Sequence, residues 1–289
     1  MTTQQELEEL IQRIRPELHR YASRMVGSVI DGEDVVQEAS IKAYGAVASL
    51  EHEINLRGWL FRITHNKAID YLRRNNDTAL ELLDEYPIAP QPDQPLEEKE
   101  IATFALSLFV KLAPRQRSCV IFKDVMGYSL AEISEMLDAT VPEIKAALHR
   151  GRTRLRELAV KDDSKPSKRN VHEQELLQQY VDRFNARDFE TLRTMLTDEV
   201  RLELYNRAKL RGADEIAKNY FGGYARAHDW RFAVGEIEGR AAILGYDLEE
   251  NVTRAAYVIL LTWEGERISL IRDFRYARYA MSEVEMRPR

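Results

Sequence analysis

The chain has 289 residues, of which 44% are hydrophobic and 31% charged, with only 13 Gly, 9 Pro and a single cysteine. This composition describes a globular chain long enough for two or three compact units and excludes collagen-like, disordered and disulfide-stapled classes. A net charge of -6 would argue against nucleic acid if it were spread evenly.

It is not spread evenly. Residues 1–56 hold 5 basic and 10 acidic side chains, whereas 57–76 hold Arg57, Arg62, Lys67, Arg73 and Arg74 against Asp70 alone. Residues 77–100 carry 8 acids and only Lys99, and 111–161 carry 10 basic against 6 acidic groups. Two basic patches therefore flank an acidic strip. Duplex DNA attracts local cation clusters through counterion release whatever the rest of the chain carries, so the patches outweigh the sum.

In chain order, apolar residues recur at helical spacing from Glu6 to Asn75 (Leu7, Leu10, Ile11, Ile14; Val35, Val36, Ala39; Leu60, Ile63, Ile69, Leu72), which predicts a small all-helical unit over 1–76. The acidic, helix-patterned N-terminus does not read as a secretory signal, and no apolar run is long enough to span a bilayer, so a cytoplasmic protein without membrane contact is expected. Residues 77–100 place Pro87, Pro90, Pro92 and Pro95 among acids and read as a linker. Helical periodicity returns over 101–160, with Pro114 in a helix's first turn, Gly127 at its end and Cys119 as a small core residue. A second polar linker is expected at 161–170. From 171 to 289 two helices (about 172–186 and 188–196), a strand near 200–205, a helix near 213–227 and alternating apolar runs at 230–237, 241–248, 252–263 and 267–280 predict an α+β unit with antiparallel strands.

Ser129-Leu-Ala-Glu132 and Thr140-Val-Pro-Glu143 are both capping boxes, and each marks a helix start. Two helices joined by the tight turn at Asp138-Ala139 form a helix-turn-helix. On the second helix Ile144, Leu148, Gly151, Leu155 and Leu158 form one stripe, which leaves Glu143, Lys145, Ala146, His149, Arg150, Arg152, Thr153 and Arg156 on a DNA-facing side. Early residues of such a helix reach base edges, and later arginines neutralise phosphates. In Arg57–Arg74, Arg57, Arg62, Asn66, Arg73 and Arg74 are outward cations and amides beside Trp59, a pairing of base and ring suited to melted DNA.

Together with Asp31-Gly-Glu-Asp-Val-Val-Gln-Glu-Ala39 and Leu112-Ala-Pro-Arg-Gln-Arg117, these motifs resemble the extracytoplasmic-function group of bacterial RNA polymerase sigma factors over about residues 8–160. The resemblance implies a sigma-2 domain over 8–75 and a sigma-4 domain over 101–160. It implies docking on RNA polymerase core through Asp34, Gln37 and Glu38, reading and melting of the promoter's minus-ten element by the loop at Leu50–Asn55 and helix 57–74, and reading of the minus-thirty-five element by helix 141–158. One departure stands out. Where many members carry V-K-S-R-L-H-R-A-R, this chain has Ile144-Lys-Ala-Ala-Leu-His-Arg-Gly-Arg152, and Ala147 removes a polar contact.

Residues 172–280 resemble the SnoaL-like and nuclear transport factor 2 superfamily, a cone of sheet wrapped by helices, through Tyr180-Val-Asp-Arg-Phe-Asn185, Leu196-Thr-Asp-Glu-Val200, Arg211-Gly-Ala-Asp-Glu-Ile216 and Arg267–Arg275. The fusion implies control of the factor by its own tail, through intramolecular contact with the sigma domains. Tyr205, Trp230, Tyr246 and Asp273 are candidates for a ligand pocket in the cone, and Asp247, Asp273 and His228 for an isomerase-like base. No catalysis, cofactor or metal is expected, because no spacing singles out a base and the six histidines are scattered. His65 and His149 read as polar contacts on DNA-facing helices. The rival functions are a helix-turn-helix regulator that binds duplex DNA without polymerase, and a tail-domain isomerase with a regulatory front half.

Overall fold

The computed structural model describes residues 4–50, 54–74, 106–159, 171–205, 207–238, 240–250, 253–281 and 286–288. The chain forms two compact units, 1–164 and 165–289. The expected linkers at 77–100 and 161–170 lie outside the described residues.

The first unit is helical: α1 (Gln4–Val26), α2 (Val29–Ala46), α3 (Leu56–Arg74), α4 (Leu106–Phe109), α5 (Pro114–Val120), a π-helical turn (Ile121–Val125), α6 (Leu130–Leu137) and α7 (Val141–Ala159). Gly27, in the left-handed region at φ +80°, ends α1, and the Ser28 hydroxyl opens α2 by accepting from the Asp31 amide at 3.2 Å. A side chain at Gly27 would also meet Val110, since an added Cβ would lie 2.4 Å from its Cγ1. The heptad-like stripe of α1 (Leu7, Ile11, Ile14, Leu18, Tyr21, Met25) is buried on α2 and α3, as its spacing predicts. Arg15 and Glu33 pair within this packing, so the two buried charges compensate each other.

The two helical domains read from the sequence do not sit apart. Their apolar residues, from Leu7 on α1 to Leu158 on α7, form one continuous buried cluster. At its centre Tyr21 stacks on Phe122 with ring centroids 4.3 Å apart, and Phe61 meets Phe122 and Tyr128 edge-on at 5.6 and 5.5 Å. Arg117 is fully buried and donates to the carbonyls of Val110 (2.6 Å), Leu112 (2.9 Å) and Met25, which ties α5 to the C-terminal end of α1.

The second unit comprises α8 (Val171–Asn185), α9 (Phe189–Thr194), β1 (Leu196–Leu204), β2 (Ala208–Arg211), α10 (Ala213–Ile216) continuing through a π-helical turn (Ala217–Phe221) into α11 (Gly222–Arg226), then β3 (Trp230–Ile237), β4 (Arg240–Asp247), β5 (Tyr257–Glu264), β6 (Arg267–Asp273) and β7 (Met286–Pro288). The strands form one sheet in the order β2-β1-β6-β5-β4-β3-β7. The sequence expectation of antiparallel strands fails at one place: β1 pairs with β6 in parallel, because the chain leaves β1 through β2 and the α10–α11 segment and returns only after three further strands. β2 and β7 were not expected; both are too short for their alternation to register in sequence. Phe184 of α8 anchors the helices to the sheet, with its ring 4.9 to 5.6 Å from those of Phe221, Tyr224, Trp230 and Phe232.

Candidate nucleic-acid and polymerase interface

The helix-turn-helix is built as the caps predict. Ser129 accepts from the Glu132 amide at 3.3 Å while its own amide donates to the Glu132 carboxylate at 2.8 Å, and the Thr140 amide donates to Glu143 at 2.8 Å. Asp138 turns the chain between α6 and α7 in the left-handed region at φ +51°, a conformation that Asp tolerates better than most residues. On α7, Lys145, Ala146 and Thr153 are exposed, and His149, Arg150 and Arg156 are half-buried. Glu143 is exposed but engaged: besides capping the helix it pairs with Arg115 at 3.2 Å, and its hydrogen bonds to Thr140 hold its carboxyl below the usual range.

Arg152 departs from expectation. It was placed on the DNA-facing side, yet it is buried and donates to Asp124 through Nε and Nη2 at 2.9 and 2.6 Å. At the back of α7, adjacent to Gly151, it links the helix to the turn after α5; an added Cβ at Gly151 would lie 2.7 Å from Val120. Ala147 is likewise fully buried, so the residue that departs from the family pattern fills core space.

On α3, Arg62, Asn66, Arg73 and Arg74 are exposed, whereas Arg57 and Trp59 are half-buried. Arg74 and Lys67 reach Glu38 of α2 at 3.2 and 3.3 Å. Thus Glu38, which shares one half-buried side of α2 with Asp34 and Gln37, adjoins the basic end of α3. Ile41 continues that side one turn later at 64% exposure. His65, read as a DNA-facing polar contact, instead takes part in the packing of α3 on α1 and α5: its Nδ1 lies 2.7 Å from the Tyr21 hydroxyl and 3.4 Å from that of Ser118. Desolvation lowers its pKa to about 4. His149 remains on α7, half-buried.

In the second unit the four pocket candidates divide between the two faces of the sheet. Opposed residues of antiparallel strands share a face, so the pairs Trp230–Asp247, Phe232–Gly245, Gly245–Tyr257 and Ile259–Asp273 place Trp230 and Asp273 together under the helices. Tyr246 pairs with Arg231 on the opposite face, and Tyr205 stacks on Phe274 at 4.3 Å, one residue past Asp273. Asp273 is fully buried; its Oδ2 accepts from Tyr220 (2.8 Å) and Tyr224 (2.9 Å), and its Oδ1 from the Arg275 amide (2.8 Å). Burial raises its pKa above the ordinary aspartate value despite those donors. Tyr257 adds a third phenol, 3.3 Å from that of Tyr224. Sequence reasoning missed Tyr220 and Tyr224, although their i, i+4 spacing before the first long strand was a usable signal. Asp247 is engaged elsewhere, with Arg278 at 2.7 Å and the Glu249 and Glu250 amides; burial opposes its ionisation, but these donors prevail and lower its pKa. His228 lies beside Arg187 at 3.1 Å and is not among the groups bonded to Asp273. Among the described residues, no group of acidic, His and Cys side chains could hold a metal, and no helix is long and apolar enough to cross a membrane.

Residues 10–78 match the family described as Sigma-70 region 2, residues 106–155 match Sigma-70, region 4, and residues 177–271 match the SnoaL-like domain. ECF RNA polymerase sigma factor SigM of Mycobacterium tuberculosis is 30% identical over 152 residues, a segment covering 52% of this chain and 76% of that one. The chain belongs to the ECF RNA polymerase sigma factors. The sigma factor SigE of Mycolicibacterium smegmatis is also 30% identical, over 162 residues that cover 54% of this sigma factor and 63% of SigE. Among solved structures, the extracytoplasmic function sigma factor SigJ of Mycobacterium tuberculosis aligns over 92% of this sigma factor and 95% of that chain, with 18% identity and a TM-score of 0.34.

Proposed function

We propose that this sigma factor binds RNA polymerase core through α2, directs it to a promoter, and helps open the minus-ten region. In this reading Asp34, Gln37 and Glu38 face the polymerase; Arg57, Trp59, Arg62, Asn66, Arg73 and Arg74 face the minus-ten DNA; and Lys145, His149 and Arg150 face the minus-thirty-five DNA, with Glu143 ordering the start of the reading helix. Arg152 supports that helix from behind. The observation that carries the reading is the juxtaposition of an acidic side of α2 with the basic, exposed end of α3 in a chain that also presents a doubly capped helix-turn-helix. A free-standing duplex binder has no use for the acidic side, because DNA repels it. The factor acts in the cytoplasm, where polymerase is.

The tail domain, in this reading, modulates the factor from within the chain by contacting the sigma domains and is not an enzyme. The commitment of Asp247 to Arg278 and two backbone amides, and of Asp273 to two tyrosines and one backbone amide, supports this, since each carboxylate already accepts three hydrogen bonds from the fold itself. Transcription from a cognate promoter with purified core, compared between the full chain and a chain lacking 171–289, tests both parts. Output that requires the factor and changes on deletion is expected. Absence of any factor-dependent output would reject the sigma reading, and unchanged output on deletion would reject the modulation.

A further inference from the structure

One cation beside α7 is left without a role. Arg115 stands second in α5 (Pro114–Val120), and its Nη2 donates to Glu143 Oε2, in the first turn of α7, at 3.2 Å. The same carboxylate oxygen accepts from the Thr140 amide and from the Thr140 hydroxyl, each at 2.8 Å. The guanidinium is thus oriented by an acceptor that is itself oriented. Its root is equally firm, because α5 lies close on α7: an added Cβ at Gly151 would lie 2.7 Å from Val120 and 3.2 Å from the carbonyl of Gln116, the residue next to Arg115. Yet the two side chains stay open to solvent, 42% and 50% exposed.

An exposed ion pair of this kind contributes little to stability. Its place matters more on DNA. The first turn of a recognition helix enters the major groove, whose walls are lined by phosphates. A cation rooted on a neighbouring helix and bonded to that turn therefore stands at the wall, away from the base edges. Glu143 alone would be repelled there. A guanidinium spreads its N–H donors over a planar fork, so it can bond Glu143 with one edge and a phosphate oxygen with another.

We infer that Arg115 is a phosphate clamp for the minus-thirty-five element, positioned by Glu143. It cancels the charge of the carboxylate and bridges it to the DNA backbone, which fixes the register in which Lys145 and His149 meet the bases. This rests on the assignment of α7 as the reader of that element.

The test is a salt titration of holoenzyme, reconstituted from the full chain and purified core, on a promoter fragment that it transcribes. Loss of one phosphate contact reduces the slope of log K against log salt concentration by about 0.9, which amounts to about eightfold in affinity at 0.1 M salt. Arg115→Gln is expected to show both effects, and Arg115→Lys, which keeps the charge, to recover the slope. Shielding of Glu143 without contact to DNA has a different consequence: in a Glu143→Gln background, Arg115→Gln would then change nothing, whereas the clamp requires the loss to persist there. A slope unchanged in Arg115→Gln, a slope that lysine does not recover, or a loss that vanishes in the Glu143→Gln background overturns the clamp. Lys145→Ala separates this failure from a deeper one: if it too leaves slope and affinity unaltered, α7 does not read the promoter, and that assignment fails first and the clamp with it.

Discussion

Arg152 and Asp124 face each other across two hydrogen bonds of 2.9 and 2.6 Å, with both side chains 4% exposed. A cation expected on the DNA side thus holds α7 to the turn behind it. Removing one member of such a pair strands the other in a dry site. Arg152→Ala is therefore expected to lower unfolding free energy by about 3 to 5 kcal/mol. By contrast, Lys145→Ala leaves the melting temperature within error and reduces the salt slope of promoter binding by about 0.9. Thermal unfolding and a salt titration of the complex check the pair. Equal loss of stability in both variants would contradict the division.

His65 should make the helical unit sensitive to acid. Its pKa is lowered to about 4 by desolvation, against about 6.5 for a free imidazole. The folded state then binds fewer protons than the unfolded one between those values. Stability is fully present above about 6.5 and declines as pH falls towards 4, with a slope of at most about 1.4 kcal/mol per pH unit from this residue. Denaturant unfolding of the native chain and of His65→Phe across this range should give curves whose difference carries that slope; parallel curves would dismiss the effect.

Asp273 should act in the opposite sense in the tail. Its folded pKa is raised by burial, so the stability linked to its protonated form is complete below the ordinary value of about 3.9 and is lost as pH rises from there. Asparagine keeps an acceptor for Tyr220 and Tyr224 without the charge. The stability of Asp273→Asn relative to the native protein is expected to improve from pH 4 towards neutrality, as followed by tyrosine and tryptophan fluorescence during unfolding. A difference independent of pH would show that Asp273 ionises without penalty.

Gly245 sits opposite Tyr257 on the same face of the sheet, and an added Cβ would lie 2.5 Å from the Tyr257 ring. Gly245→Ala forces that ring away from Tyr224 and is expected to cost about 1 to 3 kcal/mol. Gly223→Ala, where no atom lies within 4 Å, serves as the control with little change.

Local rules made much of the fold legible. The capping boxes at Ser129 and Thr140 are written in four consecutive residues each, and α1 and α3 declare their buried faces through spacing. Long-range relations were not legible. Nothing near Leu196 announces a parallel partner at Ile268, and nothing in the basic run 57–74 reveals that Arg57 and Arg62 meet residues more than 70 positions away. Arg152 shows how charge can mislead: it stands four residues after Leu148 and three before Leu155, at the edge of the buried stripe, and only its partner Asp124, 28 positions away, explains a cation there. The pocket candidates failed to converge for a related reason, since residues 205 and 246 have the wrong parity for the face that holds 230 and 273, and parity follows from register.

The parallel pairing of β1 with β6 also bears on how the protein is made. The first strand of the tail to leave the ribosome waits for nearly the last one before its inner edge is hydrogen-bonded, and β3 waits for β7 in the same way. Such non-local closure is slow, whereas the helical front half can form its own contacts while translation continues. A newborn molecule is therefore expected to pass through a period with the front half folded and the tail unfinished.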